Sequence, residues 1–282
     1  MGTSILFAGD LKFIQLLLGI KTGNAMYPCP WCWWRATGRQ RDPVDAECAP
    51  RDVSKDCEDF VKLGSNRAQS SRCHGQQDNP CLSVTLASSP NECISPCTLH
   101  ITLGLVNALD EAMVKRAGED LVAELYRSAN ITKSSYQGET FEGNQCSKLV
   151  KAVSQSDWSN GHPLLAFKPL FCSLRQLYEK VFTARRDLHD EEIAEIESLV
   201  NTFVDLWKSS SHELELTRPL KLHVLAVHVV AFTIAHRATP AVFGEQDGES
   251  SHRVFRQLMD TFRAMGPRAL LHSVKVFNAC RF

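Results

Sequence analysis

Apolar residues recur at helical spacing over most of the chain after residue 98. Four segments carry this pattern: 103–114, 141–154, 170–183 and 188–208. Apolar positions three and four residues apart line one face of an α-helix, so each segment predicts an amphipathic helix. The sequence therefore predicts a mainly helical protein.

The N-terminal pattern is different. Residues 4–9 form a short apolar run that ends in glycine, which favours a buried strand. Residues 11–20 then return to helical spacing. Asp10 is predicted at the turn between this strand and this helix.

Residues 35–98 are rich in Arg, Asp, Ser, Pro and Cys and carry little periodicity. Such a stretch is typical of a long surface insertion with at most short helices. The predicted organisation is an N-terminal α/β part, this insertion, a helical region and a C-terminal helix, with bounds 1–34, 35–98, 99–240 and 241–282.

Composition is that of a globular protein, with 44% hydrophobic and 22% charged residues. Lys and Arg number 31 against 32 Asp and Glu, which excludes a generally basic surface for nucleic acid. The charge is nevertheless segregated. Residues 185–217 hold nine acidic and three basic residues, whereas 250–282 hold six basic residues and one acidic. Any contact with DNA is therefore expected to be local.

The N-terminal apolar stretch is interrupted by Asp10, Lys12 and Lys21, so no membrane span is predicted. The eleven cysteines are odd in number and spread over 282 residues, unlike those of a small disulfide-rich domain. We interpret the chain as folded in a reducing compartment, where paired cysteines are more often metal ligands.

Cys29 and Cys32 form a C-x-x-C motif beside a cluster of tryptophans, Trp31, Trp33 and Trp34. Two thiolates at this spacing can bind one zinc ion if two more ligands come from elsewhere. A thioredoxin-like redox motif and a pair of buried structural thiols are the alternatives.

His223 and His228 could supply the missing ligands. On a regular helix a spacing of five turns the second side chain by about 140°, so a shared metal requires a local helix irregularity. By pattern alone, two core histidines are the simpler interpretation. His236 and His252 are further candidates, which spacing does not rank.

Residues 244–262 predict a helix with an apolar face. A carboxylate, Glu249, is followed by basic residues within this range and directly after it, namely His252, Arg253, Arg256 and Arg263. A phosphodiester enzyme needs a carboxylate for metal and cations for phosphate. An ordinary salt-bridged surface helix has the same composition.

Taken together, these motifs resemble the catalytic region of the V(D)J recombinase large subunit and its relatives, the Transib-type and other RAG-like DNA transposases. In that family a strand ends in the second catalytic aspartate of a DDE, RNase H-like core. A C-x-x-C follows, a helical insertion supplies H-x4-H, and the last carboxylate lies in a segment like G-N-E-S-x-x-(K/R)-x-F-R. This chain has the same order: Asp10, Cys29, Cys32, His223, His228 and residues 247–256.

The resemblance implies a fold that is mainly α with a small α/β remnant, an incomplete RNase H-like core with a zinc-bound helical insertion. It implies structural Zn2+ at Cys29, Cys32, His223 and His228. It implies Asp10 and Glu249 as catalytic carboxylates for Mg2+ or Mn2+. It implies DNA contacts by Arg253, Arg256 and Arg263.

One departure matters. The family's first catalytic aspartate lies upstream of the segment that resembles this chain, and only nine residues precede Asp10. We therefore expect an N-terminally truncated, domesticated or fragmentary transposase that is inactive by itself. The resemblance implies DNA as partner and a nuclear location, and it is compatible with a homodimer.

Two other functions stay open. A non-catalytic, zinc-stabilised module could bind DNA or protein through residues 250–282. A redox protein using Cys29 and Cys32 is disfavoured because it leaves Glu249 and the histidines unexplained. The other cysteines of the insertion are expected to be mostly free thiols, although Cys93, Cys97 and His100 have a spacing that a second metal clip could use.

Overall fold

The computed structural model describes residues 6–21, 25–36, 48–64, 67–80, 89–133, 141–243 and Thr261. The chain divides into two compact units, Met1–Phe243 and Gly244–Phe282. All described residues except Thr261 lie in the first unit.

The first unit is mainly helical, as the periodicity predicted. Its helices are α1 (Leu11–Leu17), α2 (Val53–Leu63), α3 (Thr98–Ala117), α4 (Glu119–Ser128), α5 (Gly143–Ser154), α6 (Lys168–Lys180) and α7 (Asp190–Ser210). A last helical stretch consists of α8 (Leu220–His223), a π-helical segment (Val224–Val229) and α9 (Val230–His236). No helix in the described ranges combines the length and the apolar character needed to cross a membrane.

The helical core is built around α6, which packs against α5 on one side and α7 on the other. The facing side chains are completely buried, namely Leu170, Leu174 and Leu177 of α6 with Val200, Phe203 and Trp207 of α7. Burial of each such side chain contributes about 1.5–3 kcal/mol, so this layer stabilises the unit strongly.

Helix α3 packs against α4, α5 and α8. Its approach to α8 is close at Gly104, where an added Cβ would lie 2.7 Å from Cγ of Lys221. The glycine therefore lets α8 lie directly against α3. This packing fixes the start of the helical stretch that carries His223.

β structure in the described residues consists of three isolated bridges, Phe7 with Ile94, Ile20 with Gln76 and Cys32 with Pro50. The strand predicted over residues 4–9 is described from residue 6 onward, where it makes only the parallel bridge at Phe7. At this bridge the Phe7 amide donates to the carbonyl of Cys93, and the Ser95 amide donates to the carbonyl of Phe7.

The insertion is more ordered than predicted in its described parts. It contains the eleven-residue helix α2, begun by an Asp52 side chain that accepts a hydrogen bond from the Lys55 amide. It also contains two fully buried charged residues, Arg51 and Asp56. The buried face of α2 combines apolar residues, Val53 and Leu63, with acidic ones, Asp56 and Asp59. Because carboxylates share this face, a search for apolar residues alone did not reveal the helix.

Several acidic residues of segment 185–217 stabilise the N-terminus of helix α7. His189 and Glu192 form a capping box, and Asp190 and Glu191 complete an acidic first turn. The hydrogen bond from the His189 amide holds the pKa of Glu192 below its usual value. Negative charge at a helix N-terminus is stabilising, so these residues have a local structural role.

Candidate metal centre

Cys29, Cys32, His223 and His228 form one buried cluster. Their ligand atoms all lie within 4.8 Å of one another. The Cys29 sulfur lies 3.3 Å from Nε2 of His228, and the Cys32 sulfur lies 3.2 Å from Nε2 of His223. The structure thus brings together the four residues that the sequence analysis selected from opposite parts of the unit.

The histidine spacing of five is accommodated by the π-helical segment Val224–Val229, which follows directly after His223. In a π-helix the backbone hydrogen bonds join residues five apart, so residues at this spacing lie close to one face. The two imidazole rings are 5.2 Å apart, centroid to centroid. This is the local irregularity that a shared metal requires.

The C-x-x-C segment is held by backbone pairing with the insertion. The Trp33 amide donates to the carbonyl of Ala49, and the Arg51 amide donates to the carbonyl of Trp31. The indole of Trp31 donates to the carbonyl of Ile94 at 3.0 Å. Hydrogen bonds to two separate parts of the insertion, residues 49–51 and Ile94, therefore fix the backbone that carries both thiols.

Arg51 supports the same segment from beneath. Its guanidinium donates to the backbone carbonyls of Cys29, Tyr27 and His74 at 2.7, 3.1 and 3.0 Å. It also forms an ion pair with Asp56 at 3.1 Å. Arg51 thus supplies donors to buried backbone carbonyls on both sides of it, those of Tyr27 and Cys29 in the segment that carries the motif and that of His74 in the insertion.

Two tryptophans orient the imidazoles. Trp34 stacks on His223 with ring centroids 4.5 Å apart and 10° between the planes, and Trp31 stacks on His228 at 5.4 Å and 29°. Both indoles are buried. Two of the three clustered tryptophans thus cover the site and restrict the rotation of its histidines, whereas Trp33 stacks on His74.

The pKa values of Cys29 and Cys32 are shifted in opposite directions. Burial opposes ionisation of Cys29, but hydrogen bonding with Cys32 and the charge of His228 outweigh it, and the pKa of Cys29 lies well below its usual value. Burial and contacts with Cys29 and Cys48 raise the pKa of Cys32. One thiolate is thus favoured in the cluster, and a bound cation would favour the second by displacing its proton.

This donor set fits a structural metal ion. Two thiolates and two imidazoles form the Cys2His2 set that zinc takes in closed tetrahedral sites, where neighbouring ligand atoms lie roughly 3–4 Å apart. The observed separations need only a small contraction. All four residues are buried, so the site offers no open position for a substrate and is suited to holding the fold together.

A fifth residue, Cys48, reaches the site and was not singled out by the sequence analysis. Its sulfur lies 2.8 Å from the sulfur of Cys32. It follows a stretch without periodicity, and its spacing from Cys32 matches no common ligand pattern. Only the pairing of the backbone of the insertion with residues 31–33 reveals it.

Other sequence candidates lie elsewhere. Asp10 caps helix α1, with its Oδ1 accepting a hydrogen bond from the Phe13 amide at 2.6 Å. His236 lies against the ring of Phe232 in a tilted arrangement and is not part of the cluster, and burial lowers its pKa. The remaining candidates lie outside the described residues, namely Glu249, His252, Arg253, Arg256 and Arg263.

The purified chain is expected to bind one zinc ion. Cys97 contacts Nδ1 of His100 at 3.1 Å, but Cys93 does not join them in a metal-binding group, and among the described residues the cluster at Cys29 is the only such group. Metal analysis should therefore give a stoichiometry near one, unchanged by Cys93→Ser. A second zinc ion lost in that variant would contradict this assignment.

Comparison with protein-family models gives no match for this chain, and comparison with curated proteins gives no significant match. The resemblance to RAG-like transposases therefore rests on the motifs and their order alone.

Proposed function

We propose that this chain is a zinc-stabilised region of a RAG-like DDE transposase, with an incomplete RNase H-like core and a helical insertion that supplies the zinc histidines. Its proposed activity is DNA binding, without strand cleavage by the chain alone. The observation that carries the proposal is the meeting of the C-x-x-C with His223 and His228 in one buried cluster.

The long interval between the two halves of this cluster supports the proposal. The Cys32–His223 pair spans 191 residues, and the Cys29–His228 pair spans 199. In an ordinary zinc finger the cysteine and histidine pairs are separated by only about a dozen residues. Here most of the helical region lies between the two pairs in sequence. This matches the arrangement that the resemblance implies, in which a C-x-x-C next to the RNase H-like core is completed by histidines from a helical insertion.

Asp10 and Glu249 are the proposed catalytic carboxylates. In DDE enzymes a pair of divalent cations held by three carboxylates activates water and then a 3′ hydroxyl for in-line attack on phosphate. Asp10 lies between the Phe7 bridge and α1. The resemblance implies that the second catalytic aspartate follows a strand, and this is the reason for proposing Asp10. Because two carboxylates hold such cations weakly, this chain by itself is proposed to lack the reaction.

A DNA experiment tests the proposal. The 282-residue chain is expected to bind duplex DNA with an affinity that falls steeply with salt, and to leave supercoiled plasmid uncut in Mg2+ or Mn2+. Replacing Arg253 and Arg256 by alanine should reduce the slope of log affinity against log salt by about 2, since each phosphate contact contributes about 0.9. Replacing the exposed, ion-paired Arg116 and Arg175 provides a charge-matched control that should keep the slope.

The outcomes separate the candidate functions. Metal-dependent nicking that Glu249→Gln abolishes would contradict inactivity and show that the chain assembles a complete catalytic site. Absence of DNA binding would contradict the transposase proposal. The second candidate is a non-catalytic, zinc-stabilised module that binds DNA or protein through residues 250–282, where six basic residues against one acidic favour an anionic partner. If the chain binds no DNA, this candidate leaves an acidic protein as the partner.

A further inference from the structure

Cys48 and Cys32 are placed side by side by the backbone. Cys32 pairs with Pro50 in an antiparallel bridge. Alternate residues of an extended strand point to the same face, so Cys48 shares the face of Pro50 and is a diagonal neighbour of Cys32. The contact between the two sulfurs at 2.8 Å therefore follows from the pairing of the two segments.

The two thiols differ in exposure. Cys48 is half-buried, whereas Cys32 is 1% exposed. A small oxidant arriving from solvent therefore meets Cys48 before it meets the buried ligands. The sulfur separation needs to shorten by less than about 1 Å to reach the length of a disulfide bond.

We propose that Cys48 is an oxidation site through which peroxide opens the metal centre, by forming a disulfide with the ligand Cys32. The proposal rests on the metal occupancy proposed above. Metal binding at the site then depends on oxidation, because Cys48 competes with the metal for the sulfur of Cys32.

The chemistry has two steps. The Cys48 thiol attacks hydrogen peroxide, the O–O bond breaks, and sulfenic acid and one water form. The Cys32 thiolate then attacks the Cys48 sulfur, the S–O bond breaks, and the departing hydroxide takes up a proton to leave as a second water. Two sulfurs lose two electrons in total, and one peroxide is reduced to two waters.

The disulfide removes one of four metal ligands. Cys29, His223 and His228 remain, and a structural site that loses a thiolate binds zinc more weakly. Oxidation therefore releases the metal, and reduction in the presence of zinc restores it.

The experiment treats the zinc-loaded chain with hydrogen peroxide. It follows zinc release with a chromogenic chelator and maps disulfides by mass spectrometry of peptides. Cys48→Ser is expected to slow zinc release roughly tenfold, because direct oxidation of the buried ligands is limited by access. Cys172→Ser removes an exposed thiol on α6 and is the matched control, with an unchanged rate. Circular dichroism verifies that both variants fold.

A peptide linking Cys32 to Cys48, together with slower release in Cys48→Ser, supports the proposal. A Cys29–Cys32 disulfide, or equal release from wild type and Cys48→Ser, overturns it. If the chain binds no zinc at all, the occupancy proposal fails, and disulfide mapping of the metal-free chain still tests the thiol pair. If the peroxide-treated, metal-free chain contains no Cys32–Cys48 disulfide, the proposed oxidation site is wrong, whatever the outcome for zinc binding.

Discussion

Removal of the metal ion is expected to unfold the first unit. The site joins two segments separated by 191 residues, and closing so long a loop restricts the unfolded chain strongly. Binding of structural zinc is coupled to folding and reaches about 10–16 kcal/mol in zinc-finger peptides. A strong chelator should therefore lower the melting temperature of the zinc-loaded chain sharply, as measured by circular dichroism.

Variants of the ligand residues show whether His228 stabilises the fold by binding metal or only by packing. His228→Ala should lower the melting temperature greatly in zinc, and the difference from wild type should shrink when both are measured in chelator. His162 is a matched control, since it stacks on Trp158 at 4.6 Å without contacting a thiol. Its replacement should have a small effect that zinc does not change. Equal losses with and without zinc in His228→Ala would show that the histidine acts only by packing.

Replacement of Arg51 by methionine is expected to cost about 3–5 kcal/mol of unfolding free energy, because it leaves a buried carboxylate without its partner. Arg51 and Asp56 are 0% and 1% exposed. Burial raises the pKa of Asp56 although the Arg51 charge opposes this, so the pair is already costly to desolvate. The three carbonyls that Arg51 serves would also lose their donor.

Chemical denaturation of Arg51→Met measures this loss. Arg116→Met is the matched control, because its ion pair with Glu213 is exposed and contributes about 1 kcal/mol or less. The double variant Arg51→Met with Asp56→Leu should recover part of the stability by removing the unpaired charge. A single variant as stable as the control would show that the buried pair does not support the C-x-x-C segment.

The helices and the ligand set were accessible from sequence for different reasons. An apolar face with period 3.6 marks a helix in any context, and α3, α5, α6 and α7 all lie where this pattern occurs. The four ligands were selected by the order of motifs in a family. Spacing alone favoured two core histidines, since the π-helical segment at Val224–Val229 leaves no recognisable trace in the residues that form it.

Other features were out of reach because they depend on contacts between distant segments. Arg51 lies in a stretch without periodicity, and its role depends on carbonyls of residues 27, 29 and 74. Cys48 contacts Cys32 only because the insertion pairs with the C-x-x-C segment. The partner of the predicted N-terminal strand was out of reach for the same reason, since the bridge joins Phe7 to Ile94, 87 residues later in the chain.

The metal centre can form only late in synthesis, because its cysteine pair and its histidine pair are far apart in the sequence. Cys32 leaves the ribosome 191 residues ahead of His223. At about 5–20 residues per second this interval lasts roughly 10–40 s. Throughout that time Cys29 and Cys32 lack the imidazoles of His223 and His228, and Trp31 and Trp34 lack the rings on which they stack. The four-ligand site therefore forms only after the last helical stretch has been synthesised.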